Sequence, residues 1–495
     1  MIRTSRDAVL ALIAVSALIR LILAASTGLG VDESYMVGNA RVFALATVDH
    51  PPLHTWIAGA MMWLTGSEAP IVVRLPFVLL FAGSTWLMFG LARRFYGETA
   101  GFFAALLFNS APVFGIAHGA AVLPDGPLLF LLLASANVVA GIVFEERSRR
   151  GLLRWLAAGV LAGLALLSKY SAALYLAGVF LFLVSTPRAR RHLATPGPWL
   201  GAVAALVVLS PALLWNAEHD MIGFTFQASR VGTPSSPLTS LGQNLLGQLL
   251  YLTPWVAVPL VVAFARALRA GRSDERSWFL FLLALGPVAL FTLIALQARA
   301  LPHWVMPGWL FIFPLAGDGF GRLVRTNPHL VRTYSVAIGA LSVLVAAAIG
   351  VQATGYGFGP KTVAAAGAID PTTDLVDWRQ DLTQAIAAQG YSGYPAAAAH
   401  WIVAGKASYA LGPGVDFLCL CGEPHNFPFR LDQKSLAGKD IILIWPHDSV
   451  PDWNPPLAQS FAAVERLAPA GITRRGNTLF FLDLAVGRNF RPPSR

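Results

Sequence analysis

Stretches of roughly 20 mostly apolar residues recur along the chain, and this feature restricts the fold more than any other. Such a stretch can cross a bilayer as a helix, because hydrogen bonds within the helix satisfy its own backbone groups in lipid. We place about eleven candidate spans near residues 8–26, 71–92, 100–117, 125–144, 152–168, 171–186, 199–215, 243–265, 278–296, 304–321 and 333–353. With 56% apolar and only 13% charged residues, the composition is unlike that of a soluble domain. The pattern predicts a mainly α-helical protein that crosses a membrane many times.

The basic residues indicate how the predicted spans are oriented. The net charge is +10, but Lys and Arg occur in short clusters between apolar stretches rather than along one face, which argues against nucleic acid as a partner. Clusters of this kind mark the cytoplasmic ends of spans. They comprise Arg3 and Arg6, Arg93 and Arg94, Arg147 to Arg154, Arg188 to Arg191, Arg266 to Arg276, and Arg322 to Arg332. The other connections carry acidic residues and few cations, so we expect them to face outward, into the periplasm if this is a bacterial inner membrane.

Composition also predicts two domains. Residues 1–353 form the predicted transmembrane domain, whose first outward loop, residues 27–70, contains amphipathic-looking stretches at 35–46 and 53–64. We expect these two stretches to be helices at the membrane surface. Residues 354–495 read as a periplasmic α/β domain, with a helix over 370–390 and strands at 440–445 and 478–484.

Adjacent acids, Asp32 and Glu33, follow the first predicted span directly. A carboxylate at the edge of lipid is costly unless it is solvated, paired or used. One interpretation is a solvated interfacial loop. The other is a catalytic pair, in which one acid takes a proton from an acceptor hydroxyl and the second positions a cation or the acceptor.

A second polar segment, Asp49 and His50 followed by two prolines, lies further along the same loop. The prolines hold the preceding residues extended, which suits a binding site. An Asp-His pair can bind a substrate hydroxyl or a metal, with His54 as a third ligand, but such a pair also occurs in solvated turns. A divalent metal is therefore left open.

Further candidates lie in later outward connections. Asp125 stands at the start of a span, where an acid can simply cap the helix. Lys169 interrupts an apolar run, and snorkelling to the lipid headgroups would explain it. Together with Arg230, Arg299 and His303, however, Lys169 could hold a phosphate group, for which arginine offers paired hydrogen bonds. We expect acids and cations to meet on one membrane face, where a lipid-linked substrate presents its phosphate.

These segments resemble the polyprenyl-phosphate-sugar-dependent glycosyltransferases, which include the protein O-mannosyltransferases and the lipid A aminoarabinose transferase. Order and spacing are similar over roughly the first 320 residues. The segments are the acidic pair Asp32 and Glu33, "DHPP" with Asp49 and His50, "PDGPLLF" with Asp125, "LLSKYSA" with Lys169, "WNAEH" with Asn216, "FQASR" with Arg230, and "PHW" with His303.

The resemblance implies the glycosyltransferase C fold, with a catalytic aspartate in the first outward loop that corresponds to Asp32. It also implies a polyprenyl-phosphate sugar donor and inversion at the anomeric carbon. A divalent metal varies among members of this family. His50 stands where the aminoarabinose branch has a lysine, so that lysine's role at the donor phosphate is not assigned to His50. The acceptor would be an envelope glycan such as lipid A or lipopolysaccharide, another lipid, or a protein.

Two other functions compete with this interpretation. A transporter or flippase of envelope lipids would also have many spans, but transporters usually place polar groups near the membrane midplane. Here Arg20 and Arg74 are the notable charges within or at the edge of predicted spans. A scaffold that binds envelope partners is the second alternative, and the acidic loop argues against it.

The two cysteines, Cys419 and Cys421, lie outside the resemblance. Cysteines two apart on an extended strand make a strained disulfide, and together with one histidine they make a poor zinc site. We expect a structural or incidental pair.

Overall fold

The structure is a computed structural model, which describes residues 5–145, 151–230, 236–298, 300–357, 370–447 and 460–492. The chain packs into two compact units. The first unit comprises Met1–Leu21, Leu45–His54 and Leu75–Val345, and the second comprises Ile22–Ala44, Thr55–Arg74 and Ala346–Arg495. The units are defined by packing, whereas the division of the sequence at residue 353 rests on composition and stays a prediction.

Helices dominate the described residues up to Ala353. They are α1 (Ser5–Ser26), α2 (Val31–Ala40), α3 (Leu53–Thr65), α4 (Pro70–Tyr96), α5 (Glu98–Ser110), α6 (His118–Ala120), α7 (Asp125–Phe144), α8 (Gly151–Ser168), α9 (Ala173–Ser185), α10 (Pro187–Arg190), α11 (Pro196–Glu218), α12 (Ile222–Ser229), α13 (Pro237–Leu252), α14 (Pro254–Ala270), α15 (Glu275–Ala295), α16 (Met306–Trp309), α17 (Phe313–Thr326) and α18 (Pro328–Ala353). Eight helices in the described ranges are long and apolar enough to span a bilayer, or up to ten if each of two bent pairs makes one span. The chain is therefore a multi-pass membrane protein, and the number eleven stays a prediction.

Three of the predicted spans are interrupted in the structure. The stretch 100–117 bends by 80° between α5 and the helical turn that starts at Val113. The stretch 243–265 is divided between α13 and α14 at Thr253, whose φ of 66° takes the backbone out of the helical conformation before Pro254 starts a new helix. The stretch 304–321 is divided into short pieces, a 3₁₀ turn at Pro302–Val305, α16 and α17. Apolar composition alone does not reveal such breaks.

Close backbone contact holds part of the first unit together. A Cβ atom on Gly159 of α8 would lie only 2.0 Å from the carbonyl oxygen of Gly201 in α11. Glycine at both positions therefore allows these two helices to approach as closely as membrane helices do at small-residue interfaces.

Arg20, one of the two charges noted within or at the edge of predicted spans, has hydrogen-bond partners in the first unit. Its guanidinium group donates to the Gly115 carbonyl at 2.6 Å and to the Asn109 side chain at 3.1 Å.

The second unit contains a five-stranded mixed sheet. The strands are β1 (Ala396–Ala398), β2 (Phe417–Cys419), β3 (Ile441–Pro446), β4 (Ala463–Arg474) and β5 (Asn477–Arg488), in the order β2-β1-β3-β5-β4. β1 pairs in parallel with β2 and β3, and β5 pairs antiparallel with β3 and β4. Both predicted strands, 440–445 and 478–484, are confirmed. The helix predicted over 370–390 is shorter, with a 3₁₀ turn at Pro371–Leu375 followed by α19 (Arg379–Ala387), and α20 (Trp401–Leu411) follows β1.

Both helices predicted in the first loop are present. The structure has α2 begin at Val31 rather than near residue 35, so Asp32 and Glu33 lie in its first turn. α3 matches the predicted 53–64 stretch. Their position at the membrane surface stays a prediction.

Cys419 and Cys421 form a disulfide, with their Cα atoms 5.5 Å apart. The argument about two cysteines on one extended strand does not apply here. β2 ends at Cys419, and Cys421 lies beyond the strand. The pair is structural.

Candidate functional site

A buried ion pair joins two of the predicted site residues in the first unit. Asp125 begins α7, and Lys169 directly follows α8. The Lys169 ammonium group donates to both carboxylate oxygens of Asp125, at 3.0 and 3.2 Å, and the two side chains are only 14% and 6% exposed. Asp125 and Lys169 are therefore partners in a buried ion pair, with Asp125 in the first turn of α7.

Four histidines surround this ion pair. His118 lies with its Nε2 3.9 Å from the Asp125 carboxylate, and its Nδ1 has no hydrogen-bond partner among the residues that the structure describes. The rings of His50 and His54 meet edge to face at 5.8 Å. Burial, with a further effect of the Lys169 charge, lowers the pKa of His303 to about 3, and burial lowers the pKa of His54 to about 4. At neutral pH both imidazoles are uncharged and offer hydrogen bonds without adding charge.

Arg230 supplies a second half-buried cation in the first unit. It caps the end of α12, and its guanidinium group lies 5.8 Å from the Trp304 ring centre and 5.9 Å from that of Phe226. Burial is the main cause of the lowered pKa of His303, and the charges of Lys169 and Arg230 lower it further. The same two charges also contribute to lowering the pKa of His50, again after the larger effect of burial. The first unit thus brings together five predicted residues, Asp125, Lys169, Arg230, His50 and His303, which we call the cationic cluster. Arg299 lies outside the described residues.

Two other predicted residues of the first unit support their neighbours. Asn216 is fully buried, donates to the Tyr170 hydroxyl at 3.1 Å, and accepts from the backbone N–H of Gly223 at 3.1 Å. Asn216 therefore fixes the turn that starts α12, at whose other end Arg230 lies. The Asp49 side chain is 4% exposed, and its backbone carbonyl accepts a hydrogen bond from Gln227.

Asp32 and Glu33 lie in the second unit and differ in their surroundings. The buried Glu33 carboxylate accepts hydrogen bonds from Arg74 at 2.5 and 2.7 Å and from the backbone N–H of Gly30 at 2.9 Å. Arg74 also donates to the carbonyl oxygens of Thr27 at 3.2 Å and Gly28 at 2.7 Å. Asp32, one residue earlier in the same turn, is exposed to solvent. Glu33 thus stabilises the start of α2, while the Asp32 carboxylate is accessible.

Sequence reasoning did not find the partners of these residues. His118 lay in no motif, Tyr170 lay within the "LLSKYSA" segment without being singled out, and Arg74 was noted only as a charge at the edge of a span. In the described part of the chain, no group of three or more His, Cys, Asp or Glu side chains is arranged to hold a metal ion. The Asp49, His50 and His54 segment does not form one, and no step proposed below uses a metal.

Removing one partner of the Glu33–Arg74 pair is expected to destabilise the protein strongly. Either Glu33→Gln or Arg74→Met leaves a buried charge without compensation, which typically costs about 3–5 kcal/mol. The unfolding temperature of the detergent-solubilised protein should fall clearly for each single variant, and the double variant should recover part of the loss. Arg322→Met is the matched control, because Arg322 is 64% exposed in its pair with Asp318. If the two single variants, the double variant and the control all showed the same small shift in unfolding temperature, the buried pair would contribute nothing to stability.

The sequence is similar to known transferases over part of its length. Residues 49–215 match the family model described as dolichyl-phosphate-mannose-protein mannosyltransferase. The chain is 27% identical to the lipid A galacturonosyltransferase RgtD of Rhizobium johnstonii over 292 residues, 58% of this chain and 59% of the relative. It is 22% identical to the lipopolysaccharide core galacturonosyltransferase RgtB of the same organism over 338 residues, 64% of this chain and 67% of the relative. The match to RgtD thus spans less than two thirds of that protein.

Solved structures match the fold over nearly the whole chain. ArnT from Cupriavidus metallidurans bound to undecaprenyl phosphate has a TM-score of 0.63 and 16% identity, and the match covers 96% of this chain and 97% of ArnT. The apo state of the same protein has a TM-score of 0.65 with 15% identity and the same coverage. At such low identity the likeness shows the fold alone, and it confirms the predicted glycosyltransferase C architecture with a small C-terminal sheet domain.

Proposed function

From the glycosyltransferase C fold of this chain and its resemblance to transferases that use lipid-linked sugars, we infer that it is a membrane glycosyltransferase. It moves a sugar from a polyprenyl-phosphate donor to an acceptor of the bacterial envelope, with inversion at the anomeric carbon. It acts in the inner membrane, with its reactive groups on the periplasmic side. The cationic cluster carries this proposal, because two cations beside uncharged imidazoles match the phosphate group that leaves in such a transfer.

Lys169 and Arg230 have the chemistry that a departing phosphate requires. When the bond between the anomeric carbon and the phosphate oxygen breaks, the polyprenyl phosphate leaves with an additional negative charge. Fixed cations stabilise that charge more in the transition state than in the bound donor, and this difference accelerates the reaction. The neutral His303 donates a hydrogen bond to a phosphate oxygen, the neutral His50 offers a hydrogen bond to the substrate without the charge of a lysine, and Asp125 keeps Lys169 in place.

Asp32 has the role of general base. The acceptor hydroxyl oxygen attacks the anomeric carbon, and its proton passes to the Asp32 carboxylate as the bond to phosphate breaks. Asp32 is exposed to solvent, as a group that meets an acceptor hydroxyl must be, whereas Glu33 is buried against Arg74. We therefore assign Glu33 and Asn216 as positioning residues rather than groups that contact substrate.

The acceptor is most simply a sugar of lipid A or of the lipopolysaccharide core, since RgtD and RgtB are named for these acceptors. Both relatives are galacturonosyltransferases, so a polyprenyl-phosphate-linked galacturonic acid is the first donor to test. A divalent metal is not part of the proposal.

The proposal predicts that a strain lacking this gene makes lipopolysaccharide with one sugar missing. Mass spectrometry of lipid A and core should detect the loss, and the intact gene should restore it. In membrane vesicles with a labelled donor, the protein should release free polyprenyl phosphate only when acceptor is present. If instead the purified protein moves the intact donor across a bilayer without releasing polyprenyl phosphate, the transporter alternative holds.

A further inference from the structure

A buried lysine in the second unit binds three backbone carbonyl groups. Lys406 lies on α20 and is 3% exposed. Its ammonium group donates to the carbonyl oxygens of Leu29 and Val376, each at 2.7 Å, and to that of Asp374 at 2.9 Å. The three N–H donors of a lysine are thus all used, and the ring of Trp378 lies 5.5 Å from the ammonium nitrogen. So complete a set of partners gives this side chain a single fixed position.

The acceptors belong to two segments that meet beside Lys406. One is the turn from Gly28 to Gly30 that precedes α2, and the other is the 3₁₀ turn Pro371–Leu375 together with Val376, which directly follows it. Further bonds join the same segments, from the N–H of Gly28 to the carbonyl of Leu375 at 2.9 Å and from the N–H of Val31 to the Asp374 carboxylate at 2.9 Å. The contact is close enough that a Cβ atom on Gly28 would lie 2.8 Å from the Leu375 oxygen.

The turn held in this way ends where α2 begins, two residues after Leu29, whose carbonyl Lys406 binds, and Asp32 is the next residue of the helix. We propose that Lys406 is a positioning residue, whose ammonium group fixes the turn before α2 and thereby the place of the Asp32 carboxylate. This inference rests on the proposed function, in which Asp32 takes the proton of the acceptor. It makes the sheet-bearing part of the second unit a requirement for catalysis rather than an added module.

The charge of Lys406 also distinguishes this role from simple packing. Burial lowers the pKa of Lys406 to about 8, although the nearby charges of Asp374, Asp377 and Glu33 oppose this change. A neutral apolar residue would avoid the cost of burying an ammonium group but would take this donor from all three carbonyls, and Leu29 would keep only a long hydrogen bond from the Ser34 hydroxyl at 3.4 Å. A buried ammonium group, which is costly to desolvate, thus stands where it binds the turn that precedes the proposed base.

The test compares Lys406→Met with Lys434→Met in the full-length protein, in detergent or lipid nanodiscs. Lys434 is an exposed lysine of the same unit. We expect Lys406→Met to lower kcat for sugar transfer by about 10- to 100-fold, because small displacements of a reacting group are costly, with the KM for the lipid-linked donor changed less than about twofold. Lys406→Gln keeps two N–H donors, so its kcat should lie between that of Lys406→Met and that of the unaltered protein. Lys434→Met should have the same kcat and KM as the unaltered protein.

Three outcomes decide between the possibilities. If Lys406→Met and Lys406→Gln only reduce the amount of folded protein, while kcat per folded molecule is unchanged, the positioning role is wrong and Lys406 is merely structural. If Asp32→Asn is inactive but both Lys406 variants keep full kcat, the inference fails and the proposed function stands. If Asp32→Asn is itself fully active, the base assignment fails first, and the positioning role fails with it.

Discussion

Replacing Asp32 by asparagine is expected to lower kcat for sugar transfer by about 10²- to 10⁴-fold, the usual contribution of a general base. The amide has the shape of the carboxylate but accepts no proton from the acceptor hydroxyl. Because Asp32 is exposed, the substitution should leave the unfolding temperature unchanged. Release of polyprenyl phosphate from a labelled donor in the presence of lipopolysaccharide acceptor measures the effect directly.

The matched control for this variant is Asp416→Asn, which removes an exposed carboxylate from the same unit. It should leave both kcat and stability unchanged. Asp32→Glu, which keeps a carboxylate but moves it by one methylene group, should retain more activity than Asp32→Asn. Full turnover by Asp32→Asn would contradict the assignment of Asp32 as the base.

Replacing Lys169 by methionine should remove both a phosphate-binding cation and the partner of a buried acid. We expect kcat/KM for the donor to fall by about 10²- to 10³-fold, the usual cost of losing one group that stabilises transition-state charge. The free energy of unfolding should also fall by about 3–5 kcal/mol, because Asp125 is left as an unpaired charge at 6% exposure. Donor titrations and thermal unfolding of the purified protein measure the two effects.

A double variant, Lys169→Met with Asp125→Leu, separates these two roles. Removing both charges restores much of the stability, because no unpaired charge remains. It should not restore activity, since the cation for the leaving phosphate is still absent. Recovery of donor turnover in the double variant would show that Lys169 acts only as a structural partner of Asp125.

The helical architecture followed from the sequence because apolar length alone decides which segments can lie in lipid. The loop helices α2 and α3 and the strands β3 and β5 were predicted from periodicity, which reports local geometry. The interruption at Thr253 was missed, since a break within an apolar stretch depends on backbone conformation and not on hydropathy. The start of α2 was placed too late, because its first turn is polar.

The site was predicted less completely than the fold. Motifs located Asp125 and Lys169 in separate connections, and the structure joins them in one ion pair across 44 positions of sequence. The contact between Glu33 and Arg74 arises only in three dimensions, so the sequence could not show that Glu33 is the acid buried against Arg74. For the same reason nothing in the sequence pointed to Lys406, which lies in a segment without any recognised motif.

The hydrogen bond from Lys406 to Leu29 connects positions 377 residues apart, and this has a consequence for biogenesis. During translation at about 5–20 residues per second, the turn before α2 waits roughly 20 to 75 s for its partner to be made. A ribosome that stops early therefore releases a chain with membrane helices but without a completed reactive loop. Truncated products of this gene should be inserted into the membrane, yet inert toward the lipid-linked sugar pool.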